Sequence, residues 1–107
     1  MPLSLPFSTG QLVVAVLREP RERMWGRLLG LEASGLALRG LDLRVWEEVL
    51  AMVRRGEDDQ VALGTRFFPM HRVESLYLDE PSSGVPSLGA DFLQRTGRDP
   101  GDFLRDL

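Results

Sequence analysis

The stretch Met24 to Asp42, MWGRLLGLEASGLALRGLD, read together with Thr65 to Leu78, TRFFPMHRVESLYL, decides the fold of this chain. In the first, apolar residues alternate about Gly26, Gly30, Gly35 and Gly40, and Ser34-Gly35 sits at a turn. That pattern suits two antiparallel strands closed as a hairpin, with glycines where a sharply bent strand needs room for backbone. The second stretch reads as a strand interrupted by Pro69, which has no N–H to give to a ladder. Together they predict a mainly β protein built on a small, strongly bent five-stranded barrel. No cluster of chemistry-bearing residues of comparable clarity accompanies it.

Working outward, Gln11 to Leu17, QLVVAVL, is β-branched and apolar on both faces, which predicts a buried first strand. Arg18 to Arg23, REPRER, is a charged loop broken by Pro20, and strands two and three run over Met24 to Leu31 and Leu36 to Leu41. Upstream, Leu3, Leu5 and Phe7 alternate with Pro2, Ser4 and Pro6, a pattern for an extended arm along a sheet edge. Asp42 is placed as an N-cap, with Glu47 and Glu48 near the positive end and Arg54, Arg55 and Gly56 at the other. This predicts a helix over about 43–55, inserted between strands three and four. Its stripe of Val45, Trp46, Val49, Leu50 and Val53 must dock, on an open end of the barrel or on a neighbouring subunit.

Glu57 to Gln60 then make a solvated turn into a fourth strand, Val61 to Phe68, and the fifth follows over Val73 to Leu78. Glu80 to Pro86 has linker composition. Ser87 caps a short helix ended by Gly97, and Asp99, Pro100 and Asp102 form the N-cap, N1 and N3 of a last turn carrying Phe103, Leu104 and Leu107. Phe92, Leu93, Phe103 and Leu104 are too many apolar groups for a free tail. The expected division is therefore a barrel with arm and inserted helix over 1–79, and a linker and helical tail over 80–107 packed on the barrel or on a partner.

With 107 residues, 43% hydrophobic and 27% charged, the chain fits one domain with a small core that would gain from an edge-covering segment or from oligomerisation. The absence of cysteine excludes disulfides and thiolate metal sites, and a lone histidine excludes a histidine cluster, so no metal or cofactor is expected. The start, MPLSLPFSTG, has neither a positive n-region nor an apolar h-region, and no run is long enough to span a bilayer. A cytoplasmic protein without a membrane partner is the expectation. All thirteen basic residues are arginine, and the net charge of -3 argues against non-specific nucleic-acid binding while leaving room for a local basic patch.

Gly26, Leu28, Leu31, the acidic Glu32, Leu36 and Leu38 follow a recurring motif of glycine, apolar pair, acid and apolar alternation. Phe68 to Leu76, FPMHRVESL, follows a second, in which His71, Val73 and Leu76 fall on matching positions. Over roughly Gln11 to Asp79 the chain thus resembles the Sm-like family of SH3-like small barrels, including its bacterial RNA-chaperone (Hfq) branch. The resemblance implies a five-stranded barrel, assembly into a ring or smaller homo-oligomer through strand edges, and RNA as a family ligand. The family's amide after the acid is missing here, where Ala33-Ser34-Gly35 stand, and its lysine before the histidine is Met70. Of the family's RNA contacts, only His71 carries over.

Two functions from different classes follow. The first is a non-catalytic binding or assembly module, with itself or another protein as partner, whose contacts are Val61, Leu63, Phe67, Val73 and Leu76 on the strand edges and Trp46 on the helix. The second is an RNA binder that uses His71 at the strand break and the loop arginines Arg18, Arg21 and Arg23. Glu19 and Glu22 between those arginines favour local neutralisation. Asp79-Glu80 and Glu57-Asp58-Asp59 pair carboxylates, but both lie at strand ends in solvent, and no nucleophile has a base beyond the single histidine. An enzyme is therefore not expected.

Overall fold

The computed structural model describes residues 6–105. Five strands, β1 Leu12–Leu17, β2 Glu22–Glu32, β3 Gly35–Asp42, β4 Gly64–Pro69 and β5 Val73–Leu78, form one antiparallel sheet in the order β4-β3-β2-β1-β5. The β2–β3 hairpin runs from Met24 opposite Asp42 to Glu32 opposite Gly35, around a turn at Ala33 and Ser34. Its bend has two local causes. Gly26 stands directly across from Gly40, so the two backbones touch where side chains would otherwise hold them apart. A register shift between Leu28 and Gly30 leaves Leu29 as a bulge.

Successive side chains of a strand point to opposite faces, so the doubly apolar β1 serves two cores. Ala15, Leu17, Met24, Leu36, Leu38 and Phe68 line the inner face. Val14, Trp25 and Leu41 line the outer face, where three helices cover them. The Asp42 carboxylate accepts from the Arg44 backbone N–H to start a 3₁₀ turn over Leu43–Val45, which leads into α1, Trp46–Arg54. Helix α2, Leu88–Thr96, begins where the Ser87 hydroxyl accepts from the Ala90 N–H and ends at left-handed Gly97. Helix α3, Pro100–Phe103, is capped by Asp99 with Pro100 in the first turn. These caps stand where the sequence places them.

Three expectations differ from the structure. The sheet is not closed into a barrel: β4 and β5 lie at its opposite edges, and the 3₁₀ turn Met70–Arg72 carries the chain from one to the other. Helix α1 sits on the outer face of the sheet, not at a barrel end, because Trp25 there offers Trp46 an edge-to-face partner at 5.0 Å. The fourth strand begins at Gly64; Val61 and Leu63 follow a 3₁₀ turn over Asp58–Gln60 and pack against the helical cluster instead. The tail after Asp79 packs on the chain's own sheet and shares the core of β1, β2 and β3, with Phe92 5.8 Å from Trp25 and 4.8 Å from Phe103. Met1 to Leu5 of the N-terminal arm, and Leu107, lie outside the described residues. Among the described residues no helix is long and apolar enough to cross a membrane.

Candidate functional site

The pairing of Leu17 with Val73 brings the end of β1 to the start of β5, so the β1–β2 loop meets the Met70–Arg72 turn. The two are stitched by backbone-directed bonds. The Arg18 N–H donates to the Arg72 carbonyl at 2.9 Å, Arg18 Nε donates to the His71 carbonyl at 2.9 Å, and Arg72 donates to the carbonyls of Arg18 and Pro20 at 3.0 and 2.8 Å. On the other side the Met70 N–H donates to the Ser34 carbonyl at 2.9 Å, which ties in the β2–β3 turn. Two of the residues expected to meet RNA, His71 and Arg18, are therefore brought together from positions far apart in the chain. Arg21 stands beside Glu74 at 3.9 Å. Arg23 is separate: it donates to the Tyr77 hydroxyl at 2.9 Å on the helix-bearing face.

The joint is built on Glu22, whose side chain keeps only 11% of its surface exposed. It accepts from Arg72 at 2.9 Å and from Arg66 at 3.3 Å, and both guanidinium groups lie over the Phe68 ring, at 5.8 and 4.6 Å. The Arg72 hydrogen bond outweighs the burial that opposes ionisation, and Arg66 adds to it, so the Glu22 carboxyl titrates below the usual glutamate range. A depressed folded pKa stabilises fully above the unfolded value of about 4.3 and loses that contribution as pH falls through the lower folded value. Glu22→Gln is thus expected to be less stable than the parent at neutral pH and to show a shallower loss of stability on acidification. Urea midpoints at neutral and acid pH measure this; equal losses in both proteins would show that Glu22 carries no linkage.

Arg18, Arg21, Arg66 and Arg72 are matched in number at this end by Glu19, Glu22, Glu74 and Glu32, which accepts from Ser34 of the adjoining turn, and the exposed His71 stands beside them. The arrangement offers an anion no net excess of positive charge. It holds no carboxylate or hydroxyl hydrogen-bonded to the His71 ring among the described residues, which is what general acid–base work needs. No group of three or more acidic or histidine side chains is placed to hold a metal ion among the described residues.

The second surface is the pair of sheet edges. Of the side chains expected at an interface, Phe67 on β4 is 54% exposed, while Val73 and Leu76 lean half-buried against the inner core. Val61 and Leu63 stand before β4 and are turned to the helices. Trp46 is 8% exposed within the chain's own core, where its indole N–H donates to Asp91 at 3.2 Å; it is packing, not a free contact.

Sequence reasoning missed Glu22, Arg66 and Arg72 as a unit, because their partners are set by strand register and leave no local signal. It also missed Asp79, expected in solvent. That carboxylate accepts from Trp25 Nε1 at 3.1 Å and from the Leu88 and Gly89 N–H groups at 2.7 Å each, fastening the start of α2 to the sheet. Comparison of the chain with protein-family models, with curated proteins and with solved structures finds no match.

Proposed function

We propose that the chain is a non-catalytic Sm-like module, acting in the cytoplasm, that assembles with copies of itself by pairing β4 of one copy with β5 of the next. The observation that carries this reading is the strand order β4-β3-β2-β1-β5, which among the described residues leaves β4 and β5 with one unpaired edge each. An unpaired edge is normally blunted by charge, proline or a covering segment. Here β4, GTRFFP, has its proline, Pro69, at the last position and one charge, Arg66, whose side chain is drawn back to Glu22; Phe67 stands out between them. The bulged β2, the opposed glycines and the 3₁₀ break before β5 further support an Sm-like reading.

Light scattering after size exclusion tests it. The expected result is a discrete multimer of the 12.0 kDa chain, and Phe67→Asp, which places a charge on the exposed edge and leaves the core intact, is expected to release a folded 12.0 kDa species. A parent protein of 12.0 kDa at micromolar concentration overturns the proposal.

The convergence of His71 with Arg18 favours RNA binding as a second reading. Against it stand the net charge of -3 and the separate placement of Arg23. Retention on immobilised single-stranded RNA is expected to vanish at physiological salt, since few phosphate contacts are available. Submicromolar binding lost in His71→Ala would replace the assembly reading with the RNA one.

A further inference from the structure

On the helix-bearing face, a cleft of about 520 Å3 opens between β5, the start of α1 and the segment that follows β5. Its walls are Val14, Trp46, Leu78 and Leu88. Val85, 64% exposed, is held at the rim by a tight turn in which Ser82 and Val85 exchange backbone hydrogen bonds at 3.0 and 2.8 Å. An exposed valine on this turn leaves an apolar wall without a partner among the described residues.

Two exposed charged groups at the mouth of the cleft, Arg23 and Glu80, are not paired with each other. Arg23 lines it and, among the described residues, makes one hydrogen bond, to the Tyr77 hydroxyl, and no ion pair. The neighbouring Arg21 and Arg44 each have a carboxylate, Glu74 and Asp42. Glu80 lines the same cleft and has no hydrogen-bond or ion-pair partner among the described residues, whereas the adjacent Asp79 is used by Trp25 and α2. Arg23 and Glu80 thus share one cleft without pairing to each other. The Tyr77 oxygen accepts from Arg23, so its own O–H remains to donate beside the free guanidinium N–H groups.

We propose that this cleft binds a small zwitterionic amphipath of the amino-acid class. Its carboxylate meets Arg23 and the Tyr77 hydroxyl, its ammonium meets Glu80, and its apolar side chain lies against Trp46, Leu88 and Val85. A guanidinium with a phenol O–H is a fitting carboxylate receptor. A simple anion would face the Glu80 charge, and an uncharged apolar ligand would cover both charges without replacing their water. Ligand sites commonly measure about 300–1,000 Å3, which admits a free apolar amino acid or a dipeptide with the same two charged ends.

The test is titration of the whole chain with L-leucine, L-phenylalanine and L-leucyl-L-leucine, followed by the Trp46 indole N–H resonance and by calorimetry. A saturable shift is expected, weakened about tenfold or more when the ligand is N-acetyl-L-leucine or L-leucinamide, each of which loses one charge-assisted contact. Arg23→Gln and Glu80→Gln should weaken binding of the parent ligand to a similar degree, while Arg54→Gln, on the exposed side of α1, should not. Tighter binding of the dipeptide assigns the site to peptide ends, and tighter binding of the single residues assigns it to free amino acids. No shift at millimolar ligand, or equal binding of the charge-deleted derivatives, overturns the proposal. The derivative series needs no variant to fold.

Discussion

A chain ending at Asp79 is expected to lose cooperative unfolding, although every strand of the sheet is still present in it. The reason lies in the outer face of the sheet. Trp25 is fully buried, and the core cluster it belongs to includes Phe92, Phe103 and Leu104, all beyond residue 79. Phe92 lies 5.8 Å from Trp25 and 6.1 Å from Trp46, closing a three-ring cluster whose two indole N–H groups are taken by Asp79 and Asp91. Removing residues 80–107 uncovers both indoles, leaves the Trp46 N–H without its acceptor and frees the Asp79 carboxylate from α2. Each fully buried aromatic contributes on the order of 3 kcal/mol, a large fraction of the 5–15 kcal/mol that holds a small domain together. The point substitution Phe92→Ala is expected to cost about 3–5 kcal/mol in urea unfolding. A truncated chain with a sharp thermal transition and native near-ultraviolet dichroism would show that the sheet and α1 suffice.

Gly40→Ala is expected to cost about 3 kcal/mol, at the upper end for overpacking, because the obstacle is backbone. A Cβ at Gly40 would stand 2.0 Å from the Trp25 carbonyl oxygen and 2.6 Å from the Gly26 Cα. Neither neighbour can rotate away as a side-chain end could. The strands would have to part where the Gly26 and Gly40 backbones touch, which shifts Trp25 and so disturbs the helix-covered core. Gly30→Ala is the control, since a Cβ there meets nothing within 4 Å, and its effect should stay within about 0.5 kcal/mol. If Gly40→Ala and Gly30→Ala unfold at the same urea concentration, close approach of the two backbones is not what the glycines provide.

The features legible in the sequence are those whose partners lie within a few residues. Asp42, Ser87 and Asp99 cap their helical turns by accepting backbone N–H groups two or three residues on, and Gly97 ends α2 in a left-handed conformation that glycine adopts without cost. The β2–β3 hairpin is legible for the same reason, because a short turn sets its register and alternation sets its faces. The extent of the fourth strand was not, since an apolar run such as Val61 to Leu63 satisfies an edge strand and a coil packed under helices equally well.

For the candidate sites, the sequence supplied residue types but not company. His71 and the loop arginines could be named, but their meeting depends on the register of Leu17 against Val73, and the Glu22 pairing with Arg66 and Arg72 crosses more than forty positions of chain. The sequence by itself determined that this is a mainly β domain with a bent glycine hairpin, an inserted amphipathic helix and a capped helical tail, since backbone geometry and apolar periodicity are local properties. Only the tertiary structure decided that the helix and the tail share the outer face of the sheet, that Trp46 is core, and that β4 and β5 are left as opposite edges. Those outcomes depend on how bends and strand twist accumulate over the whole sheet, and on which apolar surfaces then remain to be covered; no single segment encodes either.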